Sequence, residues 1–146
     1  MELEIDFSIT SRFGDYHDFY VRNLKIFKSF VKVFEIFFKK EKYQNSEIKI
    51  DEDAKDKATI TFCSKKYQIG LFIDPANLNS ACIGLDKITT NQLLRIGEAM
   101  IDHLENITFP DNRRVSLKDN YEFNNAVLNF FITGITKNTA EKTIAR

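Results

Sequence analysis

Residues 15–42 read DYHDFYVRNLKIFKSFVKVFEIFFKKEK, and this stretch decides the fold that the sequence predicts. At 100° per residue, its aromatic and aliphatic side chains fall on one arc of a helix. That arc contains Tyr16, Phe19, Tyr20, Leu24, Phe27, Phe30, Val31, Phe34, Phe37 and Phe38. The opposite side carries Lys25, Lys28, Lys32 and Lys39. A helix of this length spans about 42 Å, so we expect the rest of the domain to pack on it.

The residues before this helix alternate in polarity. Leu3, Ile5, Phe7 and Ile9 alternate with charged or polar residues, which predicts a strand with one buried face. A turn and a helix cap are predicted next, at Ser11, Gly14 and Asp15.

After the helix the apolar period changes to two. Ile48 and Ile50 mark a short strand, and residues 58–63 and 67–73 predict a hairpin. On its second arm, Tyr67, Ile69, Leu71 and Ile73 share one face, whereas Gln68, Gly70 and Phe72 share the other. Residues 81–85 predict a further strand.

The last third of the chain predicts two helices. The first covers residues 90–106, where a capping box precedes apolar residues at helical spacing, and the second begins near Ser116 and stops at Gly134. We therefore expect an α+β fold, in which an antiparallel sheet of four to five strands packs against one long N-terminal helix and two C-terminal helices. Residues 1–134 are expected to form a single domain, and residues 135–146 a loosely ordered tail.

The composition limits the classes of function. The chain has 146 residues with 21 basic and 21 acidic side chains, so no overall field attracts it to nucleic acid or to an anionic membrane. The acidic start is unlike a secretory signal, and no apolar run is long enough to span a bilayer, which favours a cytoplasmic protein. Two isolated cysteines predict neither a disulfide framework nor a zinc site, so we expect no metal and no cofactor. The abundance of Ile, Lys, Asn and Phe suggests a bacterial or mobile-element origin.

An acidic loop, residues 51–56, is the first candidate site. Its spacing fails as an EF-hand because Lys55 and Asp56 occupy the positions of an oxygen ligand and a glycine. Two acid-x-Lys triplets, residues 47–49 and 53–55, are too short to indicate a nuclease. We interpret the loop as a partner-binding patch for a basic protein, formed by Asp51, Glu52, Asp53 and Asp56.

Arg113 and Arg114, which follow the turn at Pro110, are the second candidate contact. The two histidines, His17 and His103, each fall on a predicted helix, outside any glycine-rich or strand-end loop. No residue is assigned a catalytic role, and the expected protein is not an enzyme.

Charge segregation at zero net charge favours a protein-binding protein. Residues 2–18 carry five acids and one arginine (−4), and residues 22–42 carry seven bases and two acids (+5). The most concrete hypothesis is a small immunity or inhibitor protein that neutralises a toxin or an enzyme by direct binding.

Four alternatives stay open. The domain could bind a small molecule or act as an enzyme in a cavity under the long helix, with His17 or His103 as the polar anchor. Nucleic-acid binding through the lysine stripe ranks third. The long helix could also lie on a membrane surface, and the protein could form a homodimer through an uncovered sheet face.

Overall fold

The computed structural model describes residue 4 and residues 6–144, and the side chains of all of these except residues 9 and 138–144. Within that range the chain forms two helices and one seven-stranded sheet. The helices are α1 (Phe7–Glu41) and α2 (Asn120–Ile144). The strands are β1 (Glu47–Ile50), β2 (Lys57–Phe62), β3 (Lys65–Ile73), β4 (Ser80–Ile88), β5 (Leu93–Asp102), β6 (Asn106–Thr108) and β7 (Arg114–Ser116).

The helix α1 forms because its apolar residues recur at helical spacing over 35 residues, a length of about 52 Å. Asp6 caps its start by accepting hydrogen bonds from the backbone N–H and the hydroxyl of Ser8. Its end is set by Lys42, whose left-handed backbone (φ 53°) directs its N–H to the carbonyl of Phe38. The predicted long helix is confirmed, but it begins at Phe7. The turn and cap predicted at Ser11, Gly14 and Asp15 are therefore wrong, because these residues lie inside α1.

All seven strands pair antiparallel with their sequence neighbours, in the order β1 to β7. The hairpin of β2 and β3 turns at Cys63 and Ser64, which both have positive φ. A two-residue turn of this kind matches the right-handed twist of the two strands that it joins. Its face assignment is confirmed, since Tyr67, Ile69 and Leu71 are buried.

Both helices cover the same face of the sheet. Aromatic rings join the two helices: Phe34 lies 4.1 Å from Phe131, and Phe30 contacts Phe123 at 5.5 Å between centroids. The inward residues of the strands complete this core, namely Ala58, Ile60, Tyr67, Ile69, Leu71, Ala81, Ile83, Leu85, Ala99, Ile101, Ile107 and Val115. The result is a two-layer α+β arrangement.

The structure corrects several of the predicted elements. The helix predicted over residues 90–106 is wrong, because residues 93–102 form strand β5 and residue 106 begins β6. The described chain therefore has seven strands and two helices, where four to five strands and three helices were expected. The expected N-terminal strand is wrong at Phe7 and Ile9, which belong to α1, while Leu3 and Ile5 lie outside the described residues.

The last helix also differs from its prediction. It starts after Asp119, whose carboxylate caps the N–H of Glu122, because Ser116 belongs to β7. It then continues through Gly134 to Ile144, so the predicted stop is wrong. The single domain over residues 1–134 and the loose docking of the tail stay predictions.

Candidate functional site

The sheet has an open face, defined as the face opposite α1 and α2. Because side chains alternate along each strand, residues between the buried ones point to this face. Within residues 6–144 no helix packs on it. One row of directly paired residues crosses five strands there, from β3 to β7. The row contains Phe72, Cys82, Met100, Thr108 and Arg114.

Arg95 lies at the centre of the open face. Its Nε donates to a carboxylate oxygen of Asp86, and its Nη1 donates to Glu98 at 2.8 Å. The guanidinium carbon lies 4.7 Å from the ring centroid of Phe72, within range of a cation–π interaction. Gly84 makes this possible, since a methyl group there would overlap the guanidinium. Arg95 is therefore fixed in one position before any partner arrives.

The charges around Arg95 are mutually stabilising. Burial alone would lower the pKa of Arg95, but the hydrogen bond and the charge of Asp86 outweigh it and raise the pKa overall. Burial raises the pKa of the Cys82 thiol, Glu98 raises it further, and Arg95 opposes both. Cys82 is consequently a neutral thiol near neutral pH, not an activated nucleophile.

A second ion pair lies at the β7 side of the open face. Arg114 donates to Asp102 at 2.8 Å. The backbone N–H of Asn106 lowers the pKa of Asp102 most, burial opposes this, and the Leu104 N–H and Arg114 lower it further. The open face thus presents two ion-paired arginines, Arg95 and Arg114, together with the apolar side chains of Phe72 and Met100. Side chains of these types are suited to recognition of a partner.

The acidic loop lies between β1 and β2, at one edge of the sheet. Part of it is structural, because Asp51 accepts a hydrogen bond from Thr59 at 3.2 Å and the carbonyl of Asp56 accepts from the N–H of Leu71 at 2.9 Å. Burial raises the pKa of Tyr20, and the neighbouring charge of Asp56 adds to the rise. Glu52 and Asp53 are exposed. About five strand spacings separate this loop from β7, on the order of 24 Å, so the two candidate patches form separate surfaces.

The two predicted arginines are neighbours in sequence but lie on opposite sides of the sheet. Arg114 belongs to the open face, whereas Arg113 lines a cavity beside α2 and lies 3.5 Å from Asp111. Arg113 directly precedes β7, and its carbonyl accepts a hydrogen bond from the N–H of Phe109 at 2.9 Å. The pairing therefore extends to Arg113, and the alternation of side chains along paired strands accounts for the separation. As a partner contact, this pair cannot act as one patch.

The histidines and lysines occupy exposed positions. His17 is 3.3 Å from Asp18 on the outside of α1, and His103 lies in the turn after β5. The lysine stripe of α1 is also exposed. No group of three or more His, Cys, Asp or Glu residues in the described part of the chain could hold a metal ion.

Sequence reasoning missed Phe72, Arg95 and Met100 as site residues. Two of them lie on β5, which the sequence predicted as a helix. Phe72 did carry a signal: it is a large aromatic residue on the otherwise polar face of its predicted strand.

No protein-family model, curated protein or solved structure matches the chain. None of the helices in residues 6–144 is long and apolar enough to cross a membrane. The geometry of the open face is therefore the basis for a functional proposal.

Proposed function

We propose that this chain is a non-enzymatic protein-binding protein and that its partner docks on the open face. One observation carries the proposal: an aromatic ring, a thioether and a guanidinium occupy alternate positions of the row from Phe72 to Arg114, on a sheet face without a helix layer. Phe72 and Met100 are 36% and 41% exposed. Aromatic residues, Met and Arg are the types enriched at protein interfaces.

The arrangement also lowers the loss of side-chain conformational entropy on binding. Arg95 is already paired with Asp86 and stacked on Phe72, so docking would order few additional side chains. A partner with an apolar centre and a carboxylate at its rim would bury Met100 and reach Arg114.

The most concrete form of the proposal is an immunity or inhibitor protein that neutralises a toxin or an enzyme by direct binding. Asp51, Glu52, Asp53 and Asp56 would then steer a basic partner toward the sheet, because separated charge patches raise association rates and fix orientation. A cytoplasmic location and a bacterial or mobile-element origin belong to the same proposal.

Capture from lysate of the source organism tests the proposal when open-face variants are included. We expect wild-type protein to retain one partner near one-to-one, and Met100→Glu and Arg114→Glu to lose it. Ile132→Glu is the matched control for Met100→Glu, because Ile132 is similarly exposed (44%) but lies on α2. Retention by the open-face variants equal to that of the control would contradict the proposed surface.

Two further experiments test the steering role of the acidic loop and the inhibitor role separately. Charge reversal at Glu52 and Asp53 should slow association without abolishing the complex, as steering predicts. If the captured partner is an enzyme, titration with this protein should inhibit it; full activity in the saturated complex would refute the inhibitor form while leaving the binding form intact.

A further inference from the structure

A cavity of about 150 Å³ lies between α2, the end of β6 and the first half of β5. Its floor is apolar and includes Gly97, Phe109 and Phe130. The two rings contact each other edge to face, at 6.0 Å between centroids and an angle of 61°. The apolar surface that these residues form is complementary to a small, flat, apolar group.

Two glycines allow α2 to approach the sheet closely enough to shape this cavity. A methyl group at Gly97 would lie 3.0 Å from the Phe130 ring, and one at Gly134 would lie 2.9 Å from Leu85. Both distances are shorter than ordinary van der Waals contact. The absence of a side chain at Gly97 and Gly134 therefore allows Phe130 and α2 to lie directly against the sheet beside the cavity.

The mouth of the cavity is charged. Asp111, Arg113 and Lys137 line it, which gives two positive groups against one negative. Arg113 is held toward Asp111 at 3.5 Å, and Lys137 approaches from the last described side chains of α2. The mouth has an excess of one positive charge and a guanidinium fork whose geometry matches a carboxylate.

We propose that this cavity binds a small aromatic monocarboxylate of the size of benzoate. A cavity of about 150 Å³ is large enough for one benzene ring. The ring would lie on Phe109 and Phe130, and the carboxylate would face Arg113 and Lys137 at the mouth. This site is on the helix side of the sheet and is independent of the open face proposed for the protein partner.

Benzoate itself is the probe, with benzylamine as the analogue of the same ring and opposite charge. We expect benzoate to raise the melting temperature in a concentration-dependent way, and to shift the amide NMR signals of Gly97 and Gly134. Benzylamine should do neither. Arg113→Ala should weaken benzoate binding by about tenfold or more, since a charge-assisted contact is lost.

Arg114→Ala is the matched control, because it removes the adjacent arginine on the opposite side of the sheet. It should bind benzoate like the wild type, and circular dichroism should show both variants folded. Three results would overturn the proposal: no benzoate binding at about 10 mM, a weak-binding limit; equal binding of benzylamine; or equal loss in the two arginine variants. None of these results bears on capture of a protein partner by the open face.

Discussion

Arg95 and Asp86 form a more buried ion pair on the open face than Arg114 and Asp102 do. Asp86 sits on a central strand with its side chain only 5% exposed, and Arg95 covers it. A buried carboxylate is costly unless a charged donor compensates for it. Arg95 therefore compensates for the burial of Asp86, and Asp86 fixes the cation that a partner would meet.

Arg95→Met should lower the free energy of unfolding by about 2–4 kcal/mol, because it removes the guanidinium that pairs with Asp86. Urea denaturation measures this loss. The double variant Arg95→Met with Asp86→Asn should recover part of it, since the buried charge is then absent. A double variant less stable than Arg95→Met alone would contradict this explanation.

Asp102 should make stability depend on pH in the acid range. Its pKa in the folded protein lies below the ordinary 3.8, so the ionised carboxyl stabilises the fold above that value, and this contribution is lost as pH falls through the folded-state pKa. Asp102→Asn should therefore lower the melting temperature by about 2–4 °C at pH 7. The difference from the wild type should shrink as the pH falls below 3.8 and through the folded-state pKa. A difference independent of pH would show that charge is not the cause.

Strand β5 explains why part of the fold could not be read from sequence. Leu85 pairs with Gly97 and Asp86 with Arg95, which leaves Ile96 as the extra residue of a β-bulge. The bulge breaks the period of two. Leu93, Met100 and Leu104, which completed the predicted helical face, are exposed in the structure. Tertiary pairing thus overrode a local pattern that favoured a helix.

The helix α1 shows the opposite case, because its apolar arc is long enough to be unambiguous. Phe34 is fully buried against Phe131, and Ile36 is 56% exposed two residues later. Phe34→Ala should cost about 3–5 kcal/mol of unfolding free energy, through lost burial and a cavity. Ile36→Ala is the control and should stay within about 0.5 kcal/mol of the wild type. Similar losses in both would mean that α1 does not organise the core.

At the scale of the whole molecule, the sequence predicted the α+β class, the long helix and the β2–β3 hairpin, each of which depends on local periodicity. It could not predict that both helices cover one face, because that arrangement follows from contacts between distant residues such as Phe30 and Phe123. The open face depends on this arrangement. Arg114 stays a predicted partner contact, and its paired neighbour on the open face is Thr108.

The two natural cysteines allow the most direct test of the open face. Cys82 lies in the row between Phe72 and Met100, whereas Cys63 is exposed in the turn after β2. Alkylation by a maleimide, followed by mass spectrometry, compares both thiols in the free protein and in the complex with the captured partner. We predict that saturation with the partner slows labelling of Cys82 about tenfold, as exclusion of water from an interface requires, and leaves Cys63 unchanged. An unchanged rate at Cys82 in the saturated complex would contradict docking on the open face.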